Sequence, residues 1–201
     1  MAQQVKIDID PTPQPLSNKT AVFNPQKIVV TAGDLIFWRN NDTRYTHQPK
    51  PVNGATNAWV TTPISVKLDD QAGTSNTLSF NSGTTISGVP YVCAQHSGET
   101  GTIIAVNNIN INNLPGAQPG AAQAAFAPKK QTLGVNEAFV WSNNDGTAHW
   151  PAPSTSQQNA WFQAPIQPGQ KSPVFYLTQS NPNLTYVCAL HPNETGTIVV
   201  Q

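Results

Sequence analysis

Charge is scarce in this chain of 201 residues: Asp, Glu, Lys and Arg together make up 10% of it, against the roughly 25% of an ordinary globular protein. Basic and acidic residues balance at 10 each, 7 against 7 through Val106 and 3 against 3 after it, so neither half carries the positive excess that holds nucleic-acid phosphates. There is one methionine, Met1, so no thioether is available inside the fold. No apolar run approaches the ~18 residues of a membrane span, and "MAQQVKIDID" lacks the charged start and hydrophobic stretch of an export signal. A soluble chain is expected, and a Met set before a polar start suits one from which such a signal has been removed. Helical periodicity is missing as well. Cysteine is limited to Cys93 and Cys188, histidine to His47, His96, His149 and His191.

What is present is duplicated. "FNPQKIVVTAGDLIFWRNND" (23–42) lies over "FAPKKQTLGVNEAFVWSNND" (126–145) at an offset of 103, with Phe, Pro, Lys, Trp and NND coinciding. "HQPKPVNGATNAWVTTPI" (47–64) matches "HWPAPSTSQQNAWFQAPI" (149–166) at 102, and "YVCAQHSGETGTI" (91–103) matches "YVCALHPNETGTI" (186–198) at 95. The first copy therefore holds seven extra residues within 65–90. Two tandem domains, 1–106 and 107–201, are expected, with a join near 107–125 where the sequence turns polar and rich in Gly, Pro and Ala; the alternating "NININ" is alternatively the opening strand of the second domain. Pro, at 18 residues, is also abundant. Short β-branched and aromatic runs bounded by Gly, Pro, Asn or Asp predict strands: "KIVV", "LIFW", "TLSF", "YVCA" and "GTIIAV", then "AFVW", "VFYL", "TYVC" and "GTIVV". The fold class is all-β, one β-sandwich per copy. Trp38 with Trp141 and Trp59 with Trp161 occupy equivalent places, where packing is the expected role.

Every Cys and His of the chain falls into this repeat. Each copy offers a Cys and a His three residues apart, "CAQH" and "CALH", and one upstream His after the "WxNND" strand end. Thiolate and imidazole suit copper, and two His with one Cys in a trigonal plane plus a weak axial group define an electron-transfer site. Other readings stay open. A Cys93–Cys188 disulfide would leave four histidines without a role, and structural zinc would use the same Cys and His with Glu as fourth ligand. Inert thiols would leave the duplication unexplained, and a cysteine nucleophile wants a base and an orienting group that CxxH spacing does not suggest.

At these residues, "GDLIFWRNND…H" followed by "YVCAQHSGETGTIIAV", the chain resembles the cupredoxins, and the short CxxH loop is most similar to the amicyanin and plastocyanin kind. The resemblance runs through nearly the whole chain, twice. It implies two tandem cupredoxin-like Greek-key β-sandwiches and two type 1-like copper ions per chain. His47, Cys93 and His96 would ligate one and His149, Cys188 and His191 the other, with His96 and His191 as the near-surface electron ports. Where such loops carry the axial Met, Glu99 and Glu194 stand, and they are expected to act as axial ligands, directly or through water. The Asn that commonly follows the first His is replaced by Gln48 and Trp150. The implied role is electron transfer to a redox partner protein in a periplasm or other extracytoplasmic space. Copper storage, delivery or sensing is an alternative. A copper oxidase or nitrite reductase would need further histidines, but none is spare and Val92 and Val187 precede the cysteines where a trinuclear site would supply His. No enzymatic activity is expected, nor binding to nucleic acid. The sequons NKT, NDT, NLT and NET are weak signals in so Asn- and Thr-rich a chain.

Overall fold

The structure is a computed structural model describing residues 2–16, 18–52, 59–116, 123–154 and 164–201, without the side chains of 14 and 15. Among these residues the regular structure is strand only: β1 (Gln4–Leu16), β2 (Lys19–Asn24), β3 (Lys27–Thr31), β4 (Leu35–Asn40), β5 (Pro49–Pro51), β6 (Gly73–Thr74), β7 (Val89–Cys93), β8 (Thr100–Asn113), β9 (Ala124–Ala127), β10 (Lys130–Leu133), β11 (Phe139–Asn143), β12 (Pro151–Pro153), β13 (Asn181–Cys188) and β14 (Thr195–Val200). Among the described residues no helix is long and apolar enough to cross a membrane. The chain divides into two compact units, Met1–Ala105 and Val106–Gln201.

In unit 1 one sheet has the order β2-β1-β4-β6, with β1 antiparallel to β2 and parallel to β4. The second sheet pairs the first part of β8 with β7 and β3, and β7 with β5. Unit 2 repeats the plan. The later part of β8, which contains "NININ", runs parallel to β11 and antiparallel to β9, and β10, β14, β13 and β12 form the other sheet. That segment is thus a strand of unit 2, the alternative the sequence left open to a linker. The expectation of an all-β chain of two sandwiches holds.

Strand periodicity sets what each sandwich encloses. In β4 burial alternates, so Ile36, Trp38 and Asn40 share the inner face, as a two-residue repeat requires. From the facing sheet β7 sends in Tyr91 and Cys93. Unit 2 places Phe139, Trp141 and Asn143 opposite Leu184, Tyr186 and Cys188 in the same way, all buried. The edge of Trp38 meets Tyr91 with ring centroids 5.6 Å apart, and Trp141 meets Tyr186 at 5.7 Å. Each fully buried aliphatic neighbour, such as Ile7 or Ile109, adds about 1.5–3 kcal/mol. Both Trp38 and Trp141 are core residues; Trp59 packs on the unit 1 core, and Trp161 lies outside the described residues. Because Asn40 and Cys93 end their inward rows, polar and sulfur groups arrive together at one end of the sandwich.

Two expected strands are reduced to single bridges. "TLSF" touches β4 only through Ile36↔Leu78, and "VFYL" touches β11 only through Phe139↔Phe175. Strands β1 and β2 were not foreseen, since "KIDIDPTPQPL" alternates charge and proline with apolar residues. The extra residues of the first copy separate into two groups. Equivalence at Ile64 and Ile166 has an offset of 102, but Thr74 pairs as Lys171 does and Leu78 as Phe175 does, an offset of 97. Five residues are therefore added around the Leu68–Gln71 turn, where Asp69 and Asp70 take positive φ, and two more before Tyr91. The turn into β4 needs a left-handed residue: Gly33 supplies it (φ 95°) and Asn136 does so in unit 2 (φ 63°), the two residue types that tolerate it best.

Candidate metal centre

His47, in the loop after β4, is fixed by a backbone bridge to Ile64. Cys93 ends β7, and His96 and Glu99 occupy the turn into β8. The structure brings all four together, one donor atom of each within 4.8 Å of the others; His149, Cys188, His191 and Glu194 form the equivalent group. Both cysteines are free. The turn closes on itself, with the amide of Cys93 donating to the Glu99 carbonyl and that of Glu99 to the His96 carbonyl, both at 3.0 Å. In unit 2 Cys188 donates to Glu194 and Glu194 to His191, each at 2.9 Å.

In unit 1, Cys93 Sγ lies 3.8 Å from His47 Nδ1 and 3.7 Å from His96 Nδ1. In unit 2, Cys188 Sγ lies 3.7 Å from His149 Nδ1 and 3.5 Å from His191 Nδ1. Sulfur and nitrogen held at about 2.3 and about 2.0 Å from one ion, at trigonal to tetrahedral angles, stand about 3.5–3.8 Å apart. The residues therefore fit a single metal ion in each unit. Such a donor set of one thiolate and two imidazoles selects copper or zinc over calcium or magnesium, which prefer oxygen.

The carboxylates are buried parts of the same cluster. Glu99 Oε2 lies 2.8 Å from His47 Nδ1, and its other oxygen, Oε1, accepts from the Thr20 amide at 3.0 Å, the Thr20 hydroxyl at 2.9 Å and the Ala21 amide at 2.9 Å. Glu194 Oε2 likewise lies 2.8 Å from His149 Nδ1, while its Oε1 accepts from the Ala124 amide at 3.0 Å. Burial alone would raise the pKa of Glu99, but its bonds to His47 and Thr20 and the attraction of His47 prevail and lower it. Conversely, burial would lower that of His47, yet Cys93 and Glu99 raise it to about 9.

Without an Asn after the first His, the two loops are tied by backbone. The amide of Gln48 donates to Cys93 Sγ at 3.4 Å and that of Trp150 to Cys188 Sγ at 3.3 Å. The Ala94 and Ala189 amides return bonds to the carbonyls of Gln48 and Trp150. The spacing of Cys and His does not mark the first Asn and the Asp of each "NND". Asn40 Nδ2 donates to the carbonyls of Tyr45 and Ile64, and Asn143 Nδ2 to those of Thr147 and Ile166, bracing the loop that carries the first His. Asp42 and Asp145 lie beyond that histidine. Coincidence of "NND" in both copies was the available signal.

Solvent reaches only one histidine of each set. The side chains of His47 and His149 are fully buried, whereas those of His96 and His191 are 12% and 33% exposed. Tyr45 covers an edge of His96 at 5.6 Å between centroids. Leu190, beside His191 in sequence, is exposed.

No protein-family profile and no curated protein sequence matches the chain. Among solved structures it is similar to a purple cupredoxin from Nitrosopumilus maritimus, with 20% identity and a TM-score of 0.40 over 47% of this chain and 98% of that one. A reduced-state amicyanin mutant matches at 14% identity and a TM-score of 0.38, covering 60% of this chain and 99% of its own. A fern plastocyanin mutant matches at 14% and 0.37, covering 47% and 99%.

Proposed function

We propose that the chain is an electron-transfer protein holding one copper ion in each unit, His47, Cys93 and His96 binding one and His149, Cys188 and His191 the other. The observation that carries this reading is the recurrence of a buried His–Cys–His set with Nδ1 and Sγ at one-ion spacing in each unit, one imidazole of each set partly exposed. Copper would supply one-electron chemistry. The protein's contribution is rigidity: loop braces, sulfur-accepted amides and the closed turn keep the donors in place whichever oxidation state is held, so little reorganises on transfer. Burial excludes water from all donors except the rims of His96 and His191, which are the routes by which an electron from a redox partner would enter or leave.

Glu99 and Glu194 are the fourth donors in this reading. Their Oε2 atoms face the first histidines, and an anionic oxygen stabilises Cu(II) over Cu(I). In this reading the protein works outside the cytoplasm and exchanges electrons with a redox partner protein.

Storage or delivery is distinguished by kinetics. Copper-loaded protein is mixed first with a one-electron reductant and then with a copper chelator. Reversible reduction and reoxidation with the metal retained is the expected result; rapid loss to the chelator would make the chain a copper carrier.

A further inference from the structure

The two centres differ behind the buried histidine. In unit 2, His149 turns Nδ1 to the donor cluster and Nε2 to Asp145, whose Oδ2 is 2.8 Å away. That carboxylate is itself placed: its oxygen accepts from the Thr147 hydroxyl at 2.6 Å, and its own amide donates to Asn143 Oδ1 at 2.9 Å. In unit 1 the corresponding gap from His47 Nε2 to Asp42 Oδ2 is 3.7 Å, beyond hydrogen-bond length, and both atoms are buried without a partner. Asp42 turns its other oxygen to the Arg44 amide at 2.8 Å. Chain length is the cause: one more residue separates Asp42 from His47 than separates Asp145 from His149.

A metal at Nδ1 leaves the proton of the imidazole on Nε2. A carboxylate accepting that proton fixes the ring and makes the imidazole a stronger donor, and outer partners of this kind are typically worth 10–100-fold in metal affinity. A stronger, more anionic donor favours the more highly charged ion. Resting on the copper reading above, we propose that Asp145 is a positioning residue that strengthens His149 as a ligand and lowers the reduction potential of the unit 2 site, an effect much weaker in the unit 1 site. Asp42 stands in the equivalent place and exerts it weakly.

Single-site proteins isolate the effect. In a Cys93→Ser background only the unit 2 centre keeps its thiolate, and in Cys188→Ser only unit 1 does. Asp145→Asn in the first background is expected to raise the potential by about 59 mV, the n = 1 equivalent of a tenfold change in relative affinity for the two oxidation states. Asp42→Asn in the second is expected to shift it by less than a third of that. Because Asp145→Asn also touches the loop, a second readout uses the wild-type Cu(I) protein: the Nε2 proton of His149 should resonate downfield of that of His47 and exchange more slowly. Copper bound with a thiolate absorption but equal, small shifts in both variants overturns this inference alone, as does an unprotected His149 proton. Failure of either single-site protein to bind copper overturns the copper reading and this inference with it.

Discussion

Glu99 and Thr20 are 79 positions apart, and the carboxylate of one accepts both the backbone amide and the hydroxyl of the other. A residue of the candidate metal loop thereby holds the start of β2 against the end of the sandwich. The oxygen that carries these bonds, Oε1, also lies 3.5 Å from His96 Nδ1, while Oε2 lies 2.8 Å from His47 Nδ1.

Replacing Glu99 should therefore have two separable effects. Glu99→Met strands the Thr20 amide and hydroxyl and the Ala21 amide, at about 1–3 kcal/mol for each donor left without a partner, so denaturant unfolding should show a loss of at least ~3 kcal/mol. It also exchanges a hard anionic donor for a soft neutral one. A hundredfold change in preference for Cu(II) corresponds to a rise of about 120 mV, and Glu99→Gln should raise the potential less. A stability loss with unchanged potential and spectra in Glu99→Met and Glu194→Met would make both carboxylates structural only.

Metal uptake should displace protons. Burial disfavours the charged form of His47, but Cys93 and Glu99 hold its pKa at about 9, so at pH 7 the metal-free ring is protonated and a metal at Nδ1 must expel that proton. His149, held at about 9 against burial by Cys188, Asp145 and Glu194, behaves alike. Affinity should fall as pH drops below 9, about tenfold per unit for each proton displaced. Calorimetric titrations in buffers of different ionisation enthalpy measure this; identical heats in all buffers would contradict it.

Two glycines carry a prediction independent of metal. Gly101 and Gly196 lie under the rings of Tyr91 and Tyr186, and a Cβ at either would intrude on the ring. The rings are fully buried and cannot swing away, so Gly101→Ala and Gly196→Ala should each cost about 1–3 kcal/mol, as overpacking does. Unaltered unfolding midpoints would mean the rings yield.

Catalysis of nitrite or dioxygen reduction should be negligible in the isolated chain. Those reactions need a metal with an open position, and all four histidines belong to the two proposed copper sets. Steady turnover by metal-verified protein, with no other enzyme present, would require a further centre.

Much of this was legible in the sequence because it was written twice. Offsets shared by Trp38 and Trp141, and by Cys93 and Cys188, exposed the repeat, and the alternation around them exposed the inward faces. Less legible was β1, whose partners β2 and β4 are supplied by other parts of the chain rather than by its own pattern. "TLSF" and "VFYL" have strand composition, yet only single bridges form there. At the candidate site, residue type and spacing marked the residues that the structure brings together, but not the anchoring of Glu99 by Thr20, which is a long-range contact. Nor could they separate Asp145 from Asp42, where one residue of loop length changes 2.8 Å to 3.7 Å.

The most direct measurement is a copper titration of metal-free protein followed by metal analysis, optical absorption and paramagnetic resonance, run beside Cys93→Ser and Cys188→Ser. Two copper ions per chain are expected, with a thiolate-to-copper band that each substitution reduces by about half, since each cysteine lies in its own candidate group. One ion per chain, all colour lost with either cysteine, or a colourless protein that retains zinc in preference to copper would contradict two independent copper centres.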